Sequence, residues 1–199
     1  MIIPVVALIA ALLPTVLGGR LPRLAAVRLH RNSWIGIALL IQIVVIEIIT
    51  GPELVLKALH VLSYLMAAVF LWLNRRVPGL FLVGLGAASN GITIAINGGT
   101  LPARPGALRT AGINLEADRF VNSGALAHPH LAFLGDVFAI PAGWPLANVF
   151  SVGDVAIIVG VGVASWMICG TRWTSPWNAA AAGHGPARVR ARHAASALT

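Results

Sequence analysis

The sequence predicts an all-α membrane protein of five transmembrane helices, with a long outer loop carrying a short interfacial or re-entrant helix. Three observations predict it. Of 199 residues 58% are hydrophobic and 10% charged, with a mean hydropathy of +0.86. Soluble domains carry about 25% charged residues, so this chain has too few to cover a surface facing water alone. Five apolar runs recur, at about 2–17, 33–49, 54–73, 79–96 and 149–169. Arginines fall between alternate runs: Arg20, Arg23, Arg28 and Arg31, then Arg75 and Arg76, then Arg172, Arg188, Arg190 and Arg192. That is the positive-inside pattern, and it places the N-terminus outside and the C-terminus in the cytoplasm.

The first run lacks the basic residue that precedes a signal peptide's apolar core, and four arginines follow it, so it reads as a membrane helix. Pro14 removes a backbone donor and is expected to kink or end it. At about 1.5 Å per residue the run spans roughly 24 Å, slightly short for a bilayer core. The second run travels outward from Trp34, and Thr50-Gly51-Pro52-Glu53 makes an outer turn. The third returns to Trp72, and Asn74-Arg75-Arg76-Val77-Pro78 makes an inner turn. Gly84, Gly86, Ala87, Ala88, Ser89 and Gly91 keep the fourth run small, which lets membrane helices approach closely.

The outer loop then occupies 97–147. Residues 131–140 are apolar and too few to span a bilayer, hence the short interfacial or re-entrant helix. The fifth run carries Gly160 and Gly162 as a packing face and ends near Trp166, with Trp173 and Trp177 beyond. Residues 1–177 form the expected integral membrane domain, and 178–199 a disordered basic cytoplasmic tail.

The formal net charge is +8, and thirteen of the fourteen basic residues are Arg. Interleaved with apolar runs, they suit anionic lipid at the inner face. Nucleic acid is not expected, because no aromatic-basic motif accompanies them. The single Cys169 excludes an internal disulfide and a cysteine metal cluster.

Polar groups inside apolar helices are expensive and mark candidate sites. Glu47 lies near the outer end of the second run and His60 in the outer half of the third. Gly86, Asn90, Thr93 and Asn97 climb one face of the fourth, at helical spacing. Asn148, Ser151 and Asp154 stand at the entrance to the fifth. With Asp136 in the loop, these compose an expected outer polar cluster of Glu47, His60, Asn90, Asn97, Asp136, Asn148 and Asp154. Plainer readings stand beside it. Ser151-x-x-Asp154 is a capping-box pattern with Asp replacing Glu. Asn90, Thr93 and Asn97 can serve as glue between helices. Asn97-Gly98-Gly99 suits a helix C-terminus. His128-Pro129-His130 is a weak metal signal, and no P-loop, dinucleotide fingerprint, nucleophile elbow or His-Glu-x-x-His motif is present, so no metal and no cofactor is expected.

Several blocks together are more specific than each alone: Ser89-Asn90; Ala95-Ile96-Asn97-Gly98-Gly99 with Pro102; Leu134-Gly135-Asp136 with Pro141; and Pro145, Asn148-Val149, Ser151 and Gly153-Asp154. In these the chain resembles an uncharacterised bacterial integral-membrane family, domain of unknown function five-three-one-seven. The resemblance covers about 79–165 by motif and the earlier helices by hydropathy. Thr100-Leu101-Pro102 stands where that pattern has a Met before the Pro. The resemblance implies a small integral membrane protein and supplies no activity and no catalytic residues.

Two functions remain open. The first is a non-enzymatic accessory or assembly subunit that presents its outer loop to another membrane protein. The second is a lipid- or small-molecule-handling enzyme or carrier with an outward-facing polar cavity.

Overall fold

The computed structural model of the chain describes residues 2–48, 51–113 and 123–170. The expectations for Thr50 in the first outer turn, for Trp173 and Trp177, and for the basic tail lie outside the described residues. So do the side chains of Glu47 and Glu53.

The described chain is mostly helical. Five apolar helices run α1 (Ile2–Val16), α3 (Asn32–Ile43), α4 (Glu53–Leu73), α5 (Leu80–Ile96) and α7 (Val152–Cys169). A π-helical turn, Val44–Ile48, prolongs α3. Pro14 lies inside α1, which ends two residues later; the Pro14 carbonyl takes the Leu17 and Gly19 amides instead of a further helical turn. Two short helices complete the set: α2 (Pro22–Ala26) and α6 (Pro105–Ala111).

Of these helices, two are long and apolar enough to cross a membrane, Leu54–Leu73 and Val152–Cys169. The other three main helices are apolar but shorter. Five apolar runs therefore do become five helices, while the expectation of five full-length spans exceeds what length and composition establish.

In space the five stand in the order α1, α7, α5, α4, α3. Two glycine contacts fasten α5 to α7 in antiparallel fashion. A Cβ on Gly86 would run into the Gly153 carbonyl, and one on Gly160 would lie 2.6 Å from the Val83 nitrogen. Absent side chains let the two backbones approach, as small residues do between packed helices. The Ser165 hydroxyl bonds the Ala11 carbonyl and joins α7 to α1.

The two ends of the bundle differ. At one end lie Arg20, Arg23, Arg28, Arg31, Arg75 and Arg76. There the Arg20 amide bonds the Cys169 carbonyl at 3.0 Å. The Asn74 side chain accepts from the His30 amide (2.8 Å) and donates to the His30 carbonyl (2.9 Å).

At the other end the loop folds into a unit of its own. Strand β1 (Leu101–Pro102) pairs in parallel with β2 (Ser123–Gly124). Strand β3 (Asp136–Ile140) pairs antiparallel with β4 (Asn148–Ser151), setting Asp136 opposite Ser151 and Ile140 opposite Asn148. Helix α6 packs on this hairpin through Ala103, Ala107, Leu108, Ala111 and Val149. Pro105 at its start and left-handed Gly112 at its end bound it.

This corrects the expected interfacial helix at 131–140. One 3-10 turn, Ala132–Leu134, precedes a strand. Gly135 is extended, and Val137, Phe138 and Ile140 are β-branched or aromatic types that suit a pleated surface. Their partner strand was hidden at the head of the fifth apolar run, so that helix begins at Val152 rather than 149. Phe138 and Phe150 stack across the pair with ring centroids 5.3 Å apart.

Candidate functional site

Where α5, α7 and the loop unit meet, four hydrogen bonds close a ring. The Asn90 Nδ2 group donates to Asp154 Oδ1 at 2.9 Å. The Ser151 hydroxyl donates to Asn90 Oδ1 at 2.9 Å. The Asp154 amide donates to Ser151 Oγ at 3.0 Å, and the Ser151 amide to Asp154 Oδ2 at 2.9 Å. The last two are a capping box, which satisfies otherwise orphaned amides at the start of α7. The first two fix the Asn90 amide's orientation, since only its NH₂ can donate to a carboxylate. Gly153 makes room: a Cβ there would overlap the Asn90 side chain. The cap and the interhelical bond are thus one structure.

Asn90 and Ser151 are buried, and Asp154 is half-buried. Across the β3–β4 ladder from Ser151 stands Asp136, 4% exposed. Its Oδ2 accepts the Ser123 hydroxyl, and its carbonyl accepts the Arg104 amide at 3.0 Å. Its Oδ1 is buried and meets no partner among the described residues. Burial pushes this carboxyl up; the Ser123 bond pulls it partly back, and the nearby Asp154 carboxylate raises it, to about 7. From α4, Tyr64 reaches the same place: its ring packs over Gly91, whose missing Cβ would lie 3.0 Å from Tyr64 Cδ1, and it lies within electrostatic reach of both carboxylates. His60 is buried beside it, edge-on to the Tyr64 ring with centroids 5.4 Å apart.

The remaining expected positions lie elsewhere. Asn97 caps α5: its Nδ2 donates to the Thr93 and His130 carbonyls, and its Oδ1 accepts the His130 amide, each at 2.8 Å. Asn148 lies at the opposite end of the hairpin from Asp136, and its Oδ1 takes the neighbouring Val149 amide at 2.9 Å. Glu47 belongs to the π-helical turn.

So the structure gathers Asn90, Asp154 and Asp136, with His60 and Tyr64 alongside, and leaves Asn97 and Asn148 to local bonds. The Asn90, Ser151 and Asp154 ring is closed by its own hydrogen bonds, while Asp136 keeps one buried oxygen without a partner among the described residues. The His128-Pro129-His130 segment joins no metal set: among the described residues no three His, Cys, Asp or Glu side chains come together as ligands. Ser123 is the member that the sequence did not indicate. A hydroxyl thirteen residues before its partner, in a two-residue strand, carries no local signal. A groove of about 500 Å³ lies on the loop unit, lined by Pro102, Arg104, Leu126, Pro129, Leu131 and Phe133 among others.

Residues 26–166 match the model of a family of unknown function, DUF5317. The match begins well before the motif blocks at 79–165. An uncharacterized protein of Thermotoga maritima is 33% identical over 100 residues, which is 50% of this chain and 58% of that relative. The chain thus matches less than two thirds of that relative's length. No solved structure matches the chain.

Proposed function

The chain belongs to DUF5317, a family of unknown function, and from that premise we propose that it is a five-span integral membrane protein. In this reading it is a non-enzymatic accessory or assembly subunit that presents its folded loop to a membrane partner. The observation that carries the reading is the closed ring of Asn90, Ser151 and Asp154. A reaction centre keeps polar groups available to a substrate. Here the chain's own groups occupy them, and the result is a rigid mount for the loop.

Five crossings are supported by the outward faces of the helices. Leu8, Leu40, Leu54, Phe81 and Val159 are all large, apolar and exposed, one on each main helix. Helix α5 is about 25 Å long at 1.5 Å per residue, and thinning of the bilayer accommodates a short span at modest cost. The arginine end then faces the cytoplasm, against anionic headgroups, and the N-terminus lies outside. On the loop unit Phe133 and Trp144 are 67% and 70% exposed. Aromatic residues of this kind anchor protein interfaces.

Gentle detergent extraction of the full chain from its own membranes, followed by native mass spectrometry, tests the proposal. A stoichiometric membrane protein that dissociates on Trp144→Ser supports it. A chain that is always alone, with no partner captured by crosslinking from position 144 in intact membranes, overturns it. The alternative is a lipid- or small-molecule-handling protein, favoured by the loop groove in which Arg104 is the charged lining residue. A retained amphiphile that is lost on Arg104→Ala would select that alternative.

A further inference from the structure

We propose that Asp136 is a proton-binding site at the seam between the loop unit and the helices, and that release of its proton loosens the seam. Asp136 stands where four pieces of the loop meet. It opens β3, bridges Ala103 beside β1, accepts the Ser123 hydroxyl of β2 and faces Ser151 of β4. Gly135 presses its backbone so closely on the Pro102 carbonyl that a Cβ there would overlap it. Asp136 is therefore held close against β1. It is 4% exposed, and its Oδ1 has no partner among the described residues. A protonated carboxyl suits such a place; a carboxylate there keeps one bond and an unsolvated oxygen.

The groups facing it add to this. From α7 the Asp154 carboxylate adds like charge, while the Tyr64 hydroxyl of α4, within electrostatic reach, is neutral. From the segment before α6 the Arg104 main-chain amide bonds the Asp136 carbonyl, while the Arg104 residue itself is exposed. Ser123 from β2 is neutral. Asp154 is held in the ring with Asn90 and Ser151, so like charge accumulates on one side of the seam when Asp136 loses its proton.

The direction follows from linkage. The folded chain keeps the Asp136 proton up to about pH 7, and an exposed aspartate only to about pH 4. Between those values the unfolded seam binds fewer protons than the folded one, so the seam weakens as pH rises through that window.

The test is hydrogen exchange of the full chain in detergent, with amide protection corrected for intrinsic rates at about pH 5.5 and about pH 8.5. Protection of the Ala103, Arg104 and Ser151 amides, which bond across the seam, is expected to fall about tenfold or more in the wild type and to stay level in Asp136→Asn. Infrared difference spectra, with carboxyl-labelled aspartate, read the proton directly in the wild type. A carboxylic-acid band lost with a midpoint near 7, which Ser123→Ala moves upward, supports the site. A midpoint below about 5, or protection that falls equally in Asp136→Asn, overturns it.

Discussion

Asn90 and Asp154 are 64 positions apart in the chain and meet at 2.9 Å, Nδ2 to Oδ1. Through this contact a polar residue deep in the face of α5 secures the first turn of α7. Asn90→Ala removes a donor to a carboxylate and the acceptor for the Ser151 hydroxyl. Bonds to charged groups contribute about 1.5–3 kcal/mol, so the variant is expected to lose about that much stability in a reversible unfolding measurement in micelles. Asn90→Asp places a second carboxylate beside the first and is expected to lose more. An unchanged midpoint for Asn90→Ala would remove the ring from the account of the fold.

Gly86 and Gly84 lie on the same helix and separate close packing from helix propensity. A Cβ on Gly86 would enter the Gly153 carbonyl, whereas one on Gly84 has its nearest neighbour at 4.0 Å. Gly86→Ala should be destabilised by about 1–3 kcal/mol, as overpacked sites are. Gly84→Ala should be neutral or gain up to about 1 kcal/mol. Thermal unfolding of the two purified variants in parallel checks the pair, and equal behaviour would contradict the described α5–α7 approach.

Asn97→Ala loses three hydrogen bonds, two of them to the His130 main chain. Limited proteolysis is expected to cut near 128–134 several-fold faster, with the helical circular dichroism unchanged. The global loss is expected at about 1–2 kcal/mol, because water replaces part of each bond at this half-buried position.

Trp144→Ser and Phe133→Ser change exposed side chains, so stability should stay within about 0.5 kcal/mol. Recovery of a bound partner in pull-down should fall several-fold. If recovery is unaffected in the double variant, the aromatic face is not the docking surface.

Much of this fold is legible where the signal is local. Asn97-Gly98-Gly99 announces the end of α5 by residues that tolerate left-handed backbone, and Gly98 and Gly99 adopt φ of 67° and 97°. Ser151 and Asp154 announce a cap by spacing alone. Helix α6 was not foreseen: Pro105 and Gly112 bound it, but its seven residues bury only a small stripe and vanish among loop residues. The hairpin was not legible. Its second strand merges with a long apolar run, and only pairing with residues 136–140 tells Val149 from the helix that follows. The Ser123–Asp136 and Asn90–Asp154 contacts arise from tertiary folding, and neither residue carries a sign of its partner. Hydropathy likewise marks an apolar helix without fixing whether lipid or protein covers it.

Asn74 and Asn97 each grip a histidine, His30 and His130, entirely through its peptide groups. The contacts are blind to the imidazoles. Both positions are therefore open to recoding: a reporter amino acid, a charge or a reactive handle can replace either side chain while the amide and carbonyl that hold the connection stay in place. A probe installed at 30 would watch the arginine end and one at 130 the loop end, each on a tether that the substitution leaves intact.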